Sequence, residues 1–62
     1  MVKIAFSTEN DAFDGDDARR LESARILREI ADKFEFGSTD TGGVYDANGN
    51  RIGSWTISEK DD

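Results

Sequence analysis

Gly43-Val44-Tyr45-Asp46-Ala47-Asn48-Gly49-Asn50-Arg51-Ile52-Gly53-Ser54-Trp55-Thr56-Ile57 reads as two short strands joined by a tight turn. Asn48-Gly49 supplies residues that tolerate positive φ, and the flanks on either side are apolar and β-prone. The pairing places strands at about residues 41–46 and 50–57. Register poses one difficulty, because strict alternation puts Ile52 on the opposite face from Trp55 and Ile57. A bulge at Gly53-Ser54 would return all three to one face, and glycine is the residue expected there.

Upstream, Val2, Ile4 and Phe6 alternate with Lys3, Ala5 and Ser7, which predicts a strand at about 2–7. A polar stretch, Ser7 to Asp11, follows, and Phe13 stands alone as a loop residue that anchors on the core. From Asp16 or Asp17 the period changes. Leu21, Ala24, Leu27, Ala31 and Phe34 recur at spacings of three and four, with Ile30 and Ile26 beside them. The opposite face carries Arg19, Glu22, Arg25, Glu29, Asp32 and Lys33. Asp14, Asp16 and Asp17 suit the N-terminal cap, and Gly37 suits a left-handed C-terminal stop. The helix is therefore expected at about 17–35, and residues 59–62 as a frayed tail.

The order strand, helix, strand, strand defines one small α+β domain over residues 1–62. The expected fold is β-α-β-β, a three-stranded antiparallel sheet in the order 1-3-2 with the helix packed on one face. The other face, showing Lys3, Ala5, Arg51, Thr56 and Tyr45, stays open.

Composition narrows the function classes. A chain of 62 residues has a thin core, and without cysteine or histidine it lacks disulfides and the commonest zinc ligand. No apolar stretch approaches the roughly 20 residues of a membrane span. The opening Met1–Phe6 stretch is too short for a signal peptide. The expectation is a soluble protein of the cytoplasm.

The net charge of −6 is unevenly spread. Residues 1–17 hold one lysine and five acids, residues 18–36 five basic residues and four acids, and residues 37–62 two basic residues and five acids. The overall sign opposes nonspecific attachment to a phosphate backbone.

Asp46-Ala47-Asn48-Gly49-Asn50 superficially has the alternating oxygens of a calcium loop. It lacks the glycine and the bidentate glutamate at the sixth and twelfth positions, where Arg51 and Ile57 stand. No serine has a histidine to activate it, and no helix start follows the glycines as a phosphate-binding loop requires. No catalytic residue, metal ligand or cofactor is therefore assigned, and the chain reads as a non-enzyme.

Ala24-Arg25-Ile26-Leu27-Arg28-Glu29-Ile30-Ala31-Asp32-Lys33 and Asp46-Ala47-Asn48-Gly49-Asn50-Arg51-Ile52-Gly53-Ser54-Trp55 together carry a likeness. From Val2 to Ile57 the chain resembles short phage- and prophage-encoded proteins with an A-R-I-L-R-E-I-A-D-K helix and a D-x-N-G-N-x-I/V-G-x-W hairpin. It departs from them in the longer acidic run around Asp14-Gly15-Asp16-Asp17. The resemblance implies a bacterial-host setting and a shape; that family has no assigned activity, so no site residue carries over.

The function expected on these grounds is stoichiometric binding to a host or phage protein, for instance to inhibit a defence or nucleic-acid-handling complex. Candidate partner-binding residues are Asp11, Asp14, Asp16, Asp17, Arg19, Arg25 and Arg28. Two alternatives stand beside it: nucleic-acid association through the arginine-bearing helix face, and self-association, with a homodimer as its simplest form, through an open sheet face or edge.

Overall fold

The computed structural model describes residues 1–59, so most of the expected frayed tail, residues 60–62, lies outside the described residues. Strand β1 is Val2–Phe6, helix α1 is Asp16–Phe36, and strands β2 and β3 are Thr41–Tyr45 and Arg51–Ile57. They form a β-α-β-β α+β domain whose sheet order is β1-β3-β2, with both neighbouring pairs antiparallel. A 3₁₀ turn at Asp11–Phe13, not foreseen in the sequence, precedes the helix.

The hairpin closes differently from a two-residue turn. Gly49 N–H donates to Asp46 C=O at 3.1 Å, and Asp46 N–H donates to Asn50 C=O at 3.0 Å. Only Gly49, at φ +84°, takes the left-handed conformation here, since among the described residues every positive φ belongs to glycine. The loop is thus three residues long, Ala47 to Gly49, with glycine in the position that closes such a loop. The bulge also sits one residue earlier than expected. Val44 pairs with Gly53 and Tyr45 with Arg51, which leaves Ile52 as the extra residue. Ile52 still reaches the core, as the bulge was invoked to achieve.

Helix α1 shows the largest departure. Ile26 and Ile30 are buried at 1% and 4% exposure, whereas Leu21 and Leu27 are 72% and 47% exposed. The packed row is Glu22, Ile26, Ile30 and Phe34, one residue per turn, and in the stripe through Leu21, Ala24, Leu27 and Ala31 all turn outward except Ala24, which is half-buried. Phe34 is the one member of the expected stripe that packs on the core, meeting Trp55 edge to face at a centroid distance of 5.0 Å.

Both helix ends correct the sequence reading. Gly15, not an aspartate, holds the N-terminal cap position, and no side chain caps it. Asp16 and Asp17 act instead through the dipole of the first turn. Gly37 is extended, with φ −87°, rather than left-handed. Its missing side chain serves close approach to the Lys33 carbonyl, to which its N–H donates at 2.9 Å.

The core consists of Phe13, Ile26, Ile30, Val44 and Trp55, bordered by Phe6, Ala12, Phe34, Ile52 and Ile57. Phe13 anchors the loop as expected, stacking near Phe6 at 6.4 Å. The other sheet face leaves Lys3, Ala5, Tyr45, Arg51 and Thr56 exposed.

Candidate interaction surface

A buried polar strap fixes the helix against the hairpin and so decides which side chains face outward. Glu22 accepts from Arg25 through both oxygens, at 2.6 and 3.0 Å, and its Oε2 also accepts from Ala47 N–H at 2.7 Å. Arg25 also donates to Glu29 at 2.7 Å and to the Tyr45 carbonyl at 3.4 Å. A forked guanidinium–carboxylate pair of this kind is both directional and charge-assisted. The Arg25 hydrogen bonds hold the Glu22 carboxyl below its ordinary range despite burial, and Glu22 in turn raises the Arg25 pKa.

Asp46 forms the second half of this network. Its Oδ1 accepts from the N–H groups of Asn48 and Asn50, both at 2.9 Å. Its Oδ2 accepts from the side-chain amides of Asn50 and Asn10. Burial pushes the Asp46 pKa up, but the donors from Asn50, Asn48 and Asn10 outweigh it and the net direction is down. Asn10 also accepts from Ala12 N–H at 3.1 Å, so one side chain joins the 3₁₀ turn to the hairpin loop. The Asp46 oxygens are thus turned to N–H donors. Among the described residues no group of three or more His, Asp or Glu side chains is placed to hold a metal ion.

This strap carries a pH dependence. Glu22 and Asp46 have lowered folded pKa values, so their stabilisation is fully present above the ordinary carboxylate range and is lost as pH falls through the folded values. Thermal melts followed by circular dichroism should hold level from neutral pH to about pH 5 and drop below about pH 4. Glu22→Gln should shallow that acid limb. Glu22→Ala should lower stability by about 1–3 kcal/mol at neutral pH, because the Ala47 N–H and Arg25 lose their acceptor. An unchanged acid limb in Glu22→Gln would show that the strap does not set it.

The seven residues singled out from the sequence fall into two groups. Asp11, Asp14, Asp16 and Asp17 are exposed on the 3₁₀ turn, the short connection and the first helical turn. The backbone around Asp11 and Asp14 is held by Phe13 in the core and by Asn10, and that of Asp16 and Asp17 by the helix. Only Asp16 of these four makes an ion pair among the described residues, with Arg19 at 3.2 Å. Arg28 is exposed, whereas Arg25 is half-buried and spent on Glu22, Glu29 and Tyr45. The arginines therefore do not converge on one binding surface.

The sequence reading missed two features. Glu22, assigned to the solvent face, is a buried acceptor for a backbone N–H far along the chain. The outward stripe, Leu21, Ala24, Leu27 and Ala31, was taken for core. Ile26, Ile30 and Phe34, recurring every fourth residue, were the available signal for the alternative seating.

Comparison with protein-family models, with curated proteins and with solved structures finds no match for the chain. No helix among the described residues is long and apolar enough to cross a membrane.

Proposed function

We propose that this chain is a small non-catalytic protein-interaction module, a phage or prophage accessory protein that binds a host or phage protein stoichiometrically in the bacterial cytoplasm. One concrete form is inhibition of a defence or nucleic-acid-handling complex through a basic surface. The observation that carries the reading is the fixed acidic arm. Asp11, Asp14 and Asp17 are exposed and make no ion pair among the described residues, while the backbone of Asp11 and Asp14 is anchored by Phe13 and the Asn10–Asp46 contact and that of Asp17 by the first turn of α1. Charges held in place before binding lose little conformational freedom on docking, and complementary charge raises the rate of encounter.

Capture experiments from host lysate should compare the parent chain with an Asp11→Asn, Asp14→Asn, Asp17→Asn variant at physiological salt. A partner held by the parent in fixed ratio and released by the variant is the expected result. Equal retention by both, or no specific partner, would refute the reading. The nucleic-acid alternative loses support from Arg25, whose guanidinium is occupied within the fold. Unchanged anisotropy of a labelled DNA at low salt would dismiss it.

A further inference from the structure

We propose that the outward stripe of α1 pairs with the same stripe of a second copy of this chain, the two helices running antiparallel about a two-fold axis. Leu21, Ala24, Leu27 and Ala31 follow the three-and-four spacing of a helix–helix seam, yet all lie outside the core cluster. Leu21 and Leu27 are among the most exposed large apolar residues of the described chain. Small residues at 24 and 31 let two helix backbones approach closely.

The charges within the stripe select the occupant and its direction. Arg20, Arg28 and Glu35 lie on the same arc of the helix as the apolar residues, and none makes an ion pair among the described residues. In a parallel pair each would face its own like charge. In an antiparallel pair with Ala24 opposite Ala31 of the second copy, Arg20 falls opposite Glu35 of the second copy. Leu27 meets the aliphatic stem of Arg28 of the second copy. The dyad repeats each contact, as a self-complementary two-fold interface requires. Oligomerisation is also a recurrent source of stability for chains this short that have no disulfide. The pairing does not rest on the acidic-arm proposal, because none of its contacts uses Asp11, Asp14 or Asp17, of which only Asp17 lies on the helix.

Light scattering on a sizing column, with the full chain at high micromolar concentration, tests the pairing directly. The parent should elute at twice the 6.9 kDa chain mass, with a melting temperature that rises with concentration. Leu27→Lys and Glu35→Arg should each give a folded species of single-chain mass, checked by far-ultraviolet circular dichroism. The charge swap Arg20→Glu with Glu35→Arg should restore the double mass. A parent of single-chain mass at every concentration would overturn the proposal and leave the stripe to a different chain. A dimer indifferent to Leu27→Lys and to both charge variants would overturn it too, placing the interface elsewhere.

Discussion

Trp55→Ala should leave the chain without a cooperative unfolding transition at room temperature. The indole is 2% exposed at the centre of β3, with Phe34 packed edge-on against it. Gly42 sits under the ring, where an added Cβ would come within 2.6 Å of the indole. Truncating a buried aromatic of this size costs about 3–5 kcal/mol. A domain of this length has a total stability of only a few kcal/mol, so the loss consumes most of it. The Trp55 Nε1 is buried with no partner among the described residues, and its removal returns only part of that loss. Urea titration followed by far-ultraviolet circular dichroism is the measurement. A sigmoidal transition with near-parental midpoint would mean that the indole is not the keystone of the core.

Gly53→Val should be comparably severe by a different route. A Cβ at position 53 would collide with the Ala5 carbonyl oxygen and with the Phe6 Cα. These are backbone atoms on the paired strand, so no side-chain rotation relieves the clash. β1 must move away from β3, which breaks the ladder from Val2 to Phe6. Overpacking alone costs about 1–3 kcal/mol, and the separated ladder adds to it. Amide exchange should show β1 protection collapsing first in the milder Gly53→Ala. Retained protection in that variant of the Lys3 and Ala5 amides, the ones in the hydrogen-bonded pairs with β3, would contradict the placement of Gly53 against β1.

How far the sequence carried the fold depended on how local each determinant was. Alternation in Val2–Phe6 and an Asn-Gly pair between β-prone flanks are near-neighbour signals, and both gave the correct elements; the sheet order came from requiring every neighbouring pair to be antiparallel. The bulge was foreseen because Ile52 and Trp55 differ in parity, but parity is satisfied by one extra residue anywhere between Arg51 and Trp55. Only the pairing of Tyr45 with Arg51 places it at Ile52.

The seating of α1 was not legible in the same way. The helix carries two apolar arcs, one through Leu21, Ala24, Leu27 and Ala31 and one through Ile26, Ile30 and Phe34. Periodicity accepts either. Glu22 and Arg25 bonding to Ala47 N–H and the Tyr45 carbonyl favours the second arc, and those contacts span 25 and 20 residues of chain. The acidic residues from Asp11 to Asp17 were found exposed where the sequence put them, whereas the strap that occupies Arg25 was invisible without the hairpin loop in place.

An outward stripe exists only if α1 rests on the sheet through Ile26 and Ile30. The chain has no cysteine, so single-cysteine variants report each position separately. Leu21→Cys, Leu27→Cys and Ile26→Cys should be exposed to a maleimide in dilute native solution. Rapid labelling at 21 and 27, with position 26 reacting only after denaturant is added, is the expected result. Rapid labelling at 26 with protection at 21 and 27 would contradict this seating of the helix.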